Sequence, residues 1–221
     1  MKKASRRRSS GIDTLAKETA KVVSDPKVRK EVEARVAEFI ERRERGSDEE
    51  WFSELCFCLM TANSTARLGI KIQESLAEGC LTLSQKRVER VLRKHGHRFA
   101  RPRADFICRA RKLPEIRKTI ESFGDDREAR EWLVENVVGL GYKEASHFLR
   151  NTGHFGVAIL DRHIIRIMAE HSLIPEVPKT ITPKRYSEME KKLDELSEKL
   201  GIPPGILDFY LWYMRTGEIL K

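Results

Sequence analysis

Two short stretches of this 221-residue chain carry residue types that could do chemistry together. The first is Val137-Val138-Gly139-Leu140-Gly141-Tyr142-Lys143. Two glycines one residue apart let the backbone turn tightly and leave no side chain between its amides and an approaching phosphate oxygen. A helix opening directly after the turn adds the favourable end of its dipole, with Lys143 as a cation on its first turn. The second stretch, eighteen positions on, is Leu160-Asp161-Arg162-His163, where Asp161 suits the N-cap of another helix. Each has a plain structural explanation when taken singly: a turn with a glycine C-cap, a phosphate-binding surface lysine, a capping aspartate. Gly-x-Gly-x-Lys followed by an aspartate at that interval is a far rarer combination.

The elements that must position these residues read as helices. Apolar residues recur at three- and four-residue spacing, as in Val28, Val32, Val36, Phe39 and Ile40, and period-two alternation is hard to find. The fold class is therefore all-α. Caps mark starts at Ser24-Asp25-Pro26 and at Ser47-Asp48, the latter before a helix over 49–61 with Phe52, Leu55, Cys56 and Leu59 on its buried face. Further helices are expected over 66–77, 84–94, 102–111, 113–122, 127–137, 143–150, 162–170, 184–200 and 203–215. Pro175, Pro178 and Pro183 punctuate the longest irregular stretch, 171–183, which is the expected crossing between two helical lobes.

The formal net charge of +9 favours a polyanionic partner. Five of the positive charges, Lys2, Lys3, Arg6, Arg7 and Arg8, fall in a basic tail, residues 1–11, expected to be disordered, which leaves +4 on a folded unit over 12–221. No apolar run approaches the roughly 20 residues that span a bilayer, and the charged N-terminus has no apolar region behind it. An intracellular protein, in the cytoplasm or with the nucleoid, is expected. Cys56, Cys58, Cys80 and Cys108 form no CxxC pair, and no histidine sits at zinc-ligand spacing, so buried thiols and no metal site are expected.

With the hairpin, Lys143 and Asp161 in place, the chain resembles the helix-hairpin-helix superfamily of DNA glycosylases over roughly residues 25–221. The resemblance implies two helical lobes around a DNA-binding cleft. It also implies that Lys143 attacks the anomeric carbon of a damaged nucleotide, with Asp161 assisting. Within the superfamily the chain resembles the compact type-2 branch of 8-oxoguanine DNA glycosylase/lyases. It lacks the extra β domain of the larger branch, and no cysteine follows Cys108 to hold the iron–sulfur cluster of another. The segment His97-Arg98-Phe99-Ala100-Arg101-Pro102-Arg103-Ala104 looks like that branch's motif, and the sequence ends, as in that branch, on a lysine nine residues after a tryptophan.

That resemblance implies that Phe99 and Trp212 sandwich the extruded base and that Lys221 helps the pocket tell 8-oxoguanine from guanine. Asn63 matches a loop that enters the duplex, and His163 matches a histidine beside the phosphate of the flipped nucleotide. The amides of Gly139 and Gly141 would hold the kinked backbone, and carbonyls near Val137 and Leu140 would hold a monovalent cation, with no cofactor required. The implied partner of a monomeric enzyme is duplex DNA containing 8-oxoguanine, and an amine nucleophile implies a Schiff base and strand cleavage besides base release. Three other readings stay open: a glycosylase/lyase for oxidised pyrimidines, a non-catalytic helix-hairpin-helix DNA-binding protein, and an RNA-binding protein, which only the basic tail favours.

Overall fold

The computed structural model describes residues 10–113 and 115–221. Among them are thirteen α-helices and no strand: α1 (Gly11–Val23), α2 (Pro26–Arg45), α3 (Asp48–Thr61), α4 (Ala66–Leu76), α5 (Gly79–Thr82), α6 (Gln85–Lys94), α7 (Ala100–Ala110), α8 (Ile116–Glu121), α9 (Asp126–Asn136), α10 (Tyr142–Asn151), α11 (Arg162–Glu170), α12 (Pro183–Leu200) and α13 (Pro204–Thr216). The periodicity does not mark α1 or the four-residue α5. Helix α1 is opened by a capping box: the Ser10 hydroxyl accepts the Asp13 N–H at 3.3 Å, and the Asp13 carboxylate accepts the Ser10 N–H at 3.3 Å. Ser10 and Gly11, expected as the end of a tail, are thus a cap and a first helical residue. The tail's five basic residues lie outside the described residues.

Helix α3 departs from the single buried face expected of it. Trp51, Phe52 and every residue from Glu54 to Thr61 are buried, because α4, α5, α7, α8 and α10 pack around it. A helix that is covered all round needs apolar residues all round, and Phe57, Cys58 and Met60 supply them.

Two lobes follow from how the apolar residues group. One core runs from Trp51 to Val157 and joins α3 to α10. The other is built from α1, α11, α12 and α13, with α2 laid against Phe209 and Tyr210 of α13. The chain passes between them at Val157-Ala158, whose side chains belong to different cores. The stretch 171–183 is therefore not the crossing. It is irregular, but Met168 before it and Tyr186 after it share one core.

A buried ion pair fastens the lobes beside that crossing. Arg130 of α9 and Glu190 of α12 meet through both terminal guanidinium nitrogens, which donate to the two carboxylate oxygens at 2.5 and 2.8 Å, with 3 and 2% of their side chains exposed. Glu190 Oε1 also accepts the Ala158 N–H at 2.9 Å. Removing one partner of such a pair leaves the other charge buried and uncompensated. Glu190→Gln is expected to lower stability by about 3–5 kcal/mol in urea unfolding. Lys192→Gln, which breaks only the exposed Lys192–Glu195 pair, should cost less than about 1 kcal/mol in the same assay.

Candidate active site

Helices α9 and α10 form a hairpin. The Val137 N–H closes α9 on Leu133, the Leu140 N–H returns to the Val137 carbonyl at 3.1 Å, and Val137 and Leu140 are buried while Val138 is exposed. The two glycines are there for different reasons. Gly139 has φ +89°, and a Cβ on it would fall 2.2 Å from the Phe106 ring, so neither the backbone nor the packing tolerates a side chain. Gly141 has extended backbone, and a Cβ would meet only Glu144 Oε2, at 3.2 Å. It is the N-cap of α10 with no side-chain cap, so the first amides of the helix lack an intrahelical or side-chain acceptor. Lys143 is the second residue of that helix.

The aspartate is fixed from the other lobe. Asp161 caps α11, with its Oδ1 accepting the N–H groups of His163 at 2.7 Å and Ile164 at 2.9 Å. The segment before it is pinned by Tyr186, whose hydroxyl donates to the Ala158 carbonyl and accepts the Leu160 N–H. One carboxylate oxygen is thus spent on the cap, and Oδ2 takes neither amide.

Lys143 and Asp161 line one cavity of about 750 Å³ between the lobes. Helix α10 contributes Lys143, His147 and Arg150, which share a face by their spacing, and α13 contributes Asp208 and Trp212, four residues apart. Asn63, Arg98 and Lys221 complete the rim and wall. At the base of the cavity Arg150 Nη1 donates to Asp208 Oδ2 at 2.5 Å, both side chains nearly buried. Burial lifts the Asp208 carboxyl to about 6, against the pull of Arg150. Burial also pushes the His147 imidazole well below its ordinary range, with the charges of Arg150 and Lys143 adding to it, so the ring is neutral.

The remaining expected residues are placed unevenly. Asn63 stands exposed at the turn between α3 and α4 with φ +58°. Trp212 lines the cavity, its indole N–H buried without an acceptor, and His163 packs edge-on to it at 4.8 Å. Burial lowers the His163 pKa, although Asp161 opposes this, and its Nδ1 has no partner. Lys221 reaches the cavity wall but gives its ammonium to Glu54 and Gln73. Phe99 is not part of the lining: the Arg98 guanidinium lies 4.5 Å over its ring and occupies the rim instead. The expected sandwich of Phe99 and Trp212 is not assembled in this structure.

Three residues of the site were missed in the sequence: His147, Arg150 and Asp208. The signal for His147 and Arg150 was their spacing of four and seven from Lys143, and for Asp208 its place one turn before Trp212. Nothing local tells that Arg150 and Asp208, 58 residues apart, are a pair. Among the described residues no group of three or more His, Cys, Asp or Glu could hold a metal ion.

A family model described as 8-oxoguanine DNA glycosylase matches residues 32–202. A Methanocaldococcus jannaschii protein named 8-oxoguanine DNA glycosylase/AP lyase is 47% identical over 190 residues, covering 86% of this chain and 91% of its own. A Korarchaeum cryptofilum protein of the same name is 49% identical, covering 96% and 100%. The crystal structure of the Methanocaldococcus jannaschii 8-oxoguanine glycosylase/lyase in complex with 15mer DNA containing 8-oxoguanine is similar with a TM-score of 0.90. It is 44% identical, with 94% of this chain and 100% of that chain covered.

The raised Asp208 carboxyl sets a pH dependence of stability. Between the ordinary value of 3.8 and about 6 the folded protein holds a proton that the unfolded chain has lost. Stability from this group is therefore full below that window and falls as pH rises through it. Relative to Asp208→Asn, the protein should lose about 1–3 kcal/mol between pH 4 and pH 7 in urea unfolding. A difference that stays flat across that range would assign the carboxyl an ordinary pKa.

Proposed function

The chain belongs to the 8-oxoguanine DNA glycosylase family, and from that membership we propose that it releases 8-oxoguanine from duplex DNA and then cleaves the strand 3′ to the abasic site, with Lys143 as nucleophile and Asp161 as its electrostatic partner. The observation that carries the assignment of roles is the convergence of Lys143 and Asp161, from α10 and α11, on one cavity large enough to receive a nucleobase.

A base inside a duplex is out of reach, and extruding it costs a few kcal/mol. Stacking on an aromatic side chain contributes about 1–3 kcal/mol per base, so Trp212 in the cavity offsets much of that cost. Asn63, exposed on its turn, fills the gap left in the stack. The open amides at Gly139 and Gly141, with His163, hold phosphates of the bent strand. Phe99 joins the pocket from the rim when Arg98 leaves its ring, and Lys221 forms part of the wall that tests the base.

The amine of Lys143, as the free base, attacks the anomeric carbon while the bond to the base breaks. Positive charge builds on the sugar as the base departs, and the Asp161 carboxylate stabilises it. The sugar ring then opens to a Schiff base on Lys143. Loss of a C2′ proton from that species expels the 3′ phosphate, which makes the enzyme a lyase as well as a glycosylase. The scheme draws on no cofactor. A monovalent cation at the hairpin would be held by the carbonyls of Val137 and Leu140. The Val137 carbonyl already accepts one N–H, which leaves its second lone pair for the ion.

With Ser10 and Gly11 opening α1, residues 10–221 act as one glycosylase unit, a monomer whose single cleft is formed by its own two lobes, working inside the cell where duplex DNA is. Incubation with an 8-oxoguanine duplex under borohydride should trap a covalent protein–DNA adduct, and Lys143→Gln should trap none and release base at least 100-fold more slowly. Base release with no trapped adduct would remove Lys143 as the nucleophile. Release of thymine glycol in preference to 8-oxoguanine would overturn the lesion assignment while leaving the chemistry intact.

A further inference from the structure

Glu54 lies on α3, in the lobe opposite α13, and is 1% exposed. A carboxylate this deeply buried is stable only when paired, and Glu54 is paired on both oxygens. Oε1 accepts from Asn151 Nδ2 at 2.7 Å. Oε2 accepts from Lys221 Nζ at 2.8 Å, with Arg42 Nη2 at 3.9 Å. Burial pushes the carboxyl up, but the charges of Lys221 and Arg42 outweigh it and hold the group below its usual range, so it is ionised.

The other end of the contact is fixed as firmly. Lys221 Nζ donates a second bond to Gln73 Oε1 at 2.7 Å. The orientation of that amide is set by Gln73 Nε2, which donates to the Ser53 carbonyl and hydroxyl at 3.0 Å each. The ammonium also stands 4.5 Å from the centroid of the Phe57 ring, against which His147 packs edge-on at 5.4 Å. An ammonium has three hydrogens. Two are committed to Glu54 and Gln73, and the third has the ring face beside it. Lys221 therefore has at most one ammonium hydrogen left to offer a base, and what it contributes to the cavity depends on where it is held.

We propose that Glu54 is a positioning residue of the base pocket, which fastens Lys221 across the cleft so that Glu218, Leu220 and Lys221 form one wall with His147, backed by the buried Phe57 ring. This rests on the reading above in which Lys221 belongs to the pocket that tests the base. Glu54 touches neither the base nor the sugar, and acts through Lys221.

The test compares two substrates, because an abasic site needs Lys143 but has no base to seat. Glu54→Gln keeps the volume and removes the charge. The expected result is that the ratio of 8-oxoguanine release to cleavage of a preformed abasic duplex, both in single turnover, falls at least tenfold. Lys221→Gln should lower that ratio by a similar factor, and the double variant should fall no further than either alone, since the two act as a unit. Glu54→Asp, which keeps the charge, should recover part of the loss. An unchanged ratio in Glu54→Gln, or losses that multiply in the double variant, would overturn the proposal.

If Glu54→Gln loses both activities together, the pairing of Glu54→Gln with Lys221→Met, which buries no charge, decides. Restored abasic cleavage with poor base release supports the proposal, and restoration of both overturns it. A parent enzyme that cleaves abasic DNA but releases no 8-oxoguanine would instead show the lesion assignment to be wrong.

Discussion

The burial of polar side chains along α10 is the constraint on which the site depends. Beyond its first turn the helix is covered from Ala145 to Asn151, and three of its polar residues there, Ser146, Arg150 and Asn151, are bonded to other helices. The Ser146 hydroxyl meets Arg130 of α9 and Tyr186 of α12, Arg150 meets Asp208 of α13, and Asn151 meets Glu54 of α3. Each bond has a buried group at both ends, so a rotation or slide of α10 would leave several unsatisfied together, at about 1–3 kcal/mol or more for each. The first turn of the helix, with Lys143, is thereby held in place from behind. Lys143 itself stays partly exposed, open to the cavity.

The same arrangement explains how Lys143 and Asp161, which straddle two lobes, come to one cavity. Lys143 comes from the lobe whose core includes Ala145, Phe148 and Leu149, and Asp161 from the lobe whose core includes Leu160 and Ile164. Their relative position is set by the crossing at Val157-Ala158 and by what grips it, namely Glu190 on the Ala158 amide and Tyr186 on the Ala158 carbonyl. A helix cap alone would orient Asp161 within its own lobe. The cross-lobe bonds of Glu190 and Tyr186 to Arg130 and Ser146 convert that into an orientation relative to Lys143.

What could be read from the sequence was what is local. The hairpin glycines, the lysine on the first helical turn and the aspartate cap each announce themselves within three or four residues, and the structure places them as read. The charged residues of the interior gave no such signal. Arg130 and Glu190 sit in helices with apolar and polar faces, where a charge reads as solvent-facing, whereas Glu54 in α3 and Arg150 in α10 are buried because helices distant in sequence help to cover them on every side. Their closest side-chain partners across helices, Asp208 for Arg150, Arg130 and Glu190 for each other, and Asn151 and Lys221 for Glu54, lie 58 to 167 residues away, so burial could not be inferred from either member. Phe99 stands outside the cavity lining for a different reason. The aromatic was identified, but its neighbour Arg98 is drawn to the ring and takes the position at the cavity.

Charge shows the same limit of averaging. Setting aside the tail leaves +4 over the rest, which reads as a mildly basic surface. Residues 84–112 alone, spanning α6 and α7, hold eleven lysines and arginines against two acidic residues, Glu89 and Asp105, so the remainder is acidic on balance. Most of those cations are exposed, and Arg98 among them reaches the cavity. A uniform positive surface would attract a polyanion without orienting it. A potential concentrated on one pair of helices, adjoining the cleft on one side and opposed by acidic surface elsewhere, also selects the face that arrives first. The fold therefore directs an anionic partner to the lobe that presents Lys143.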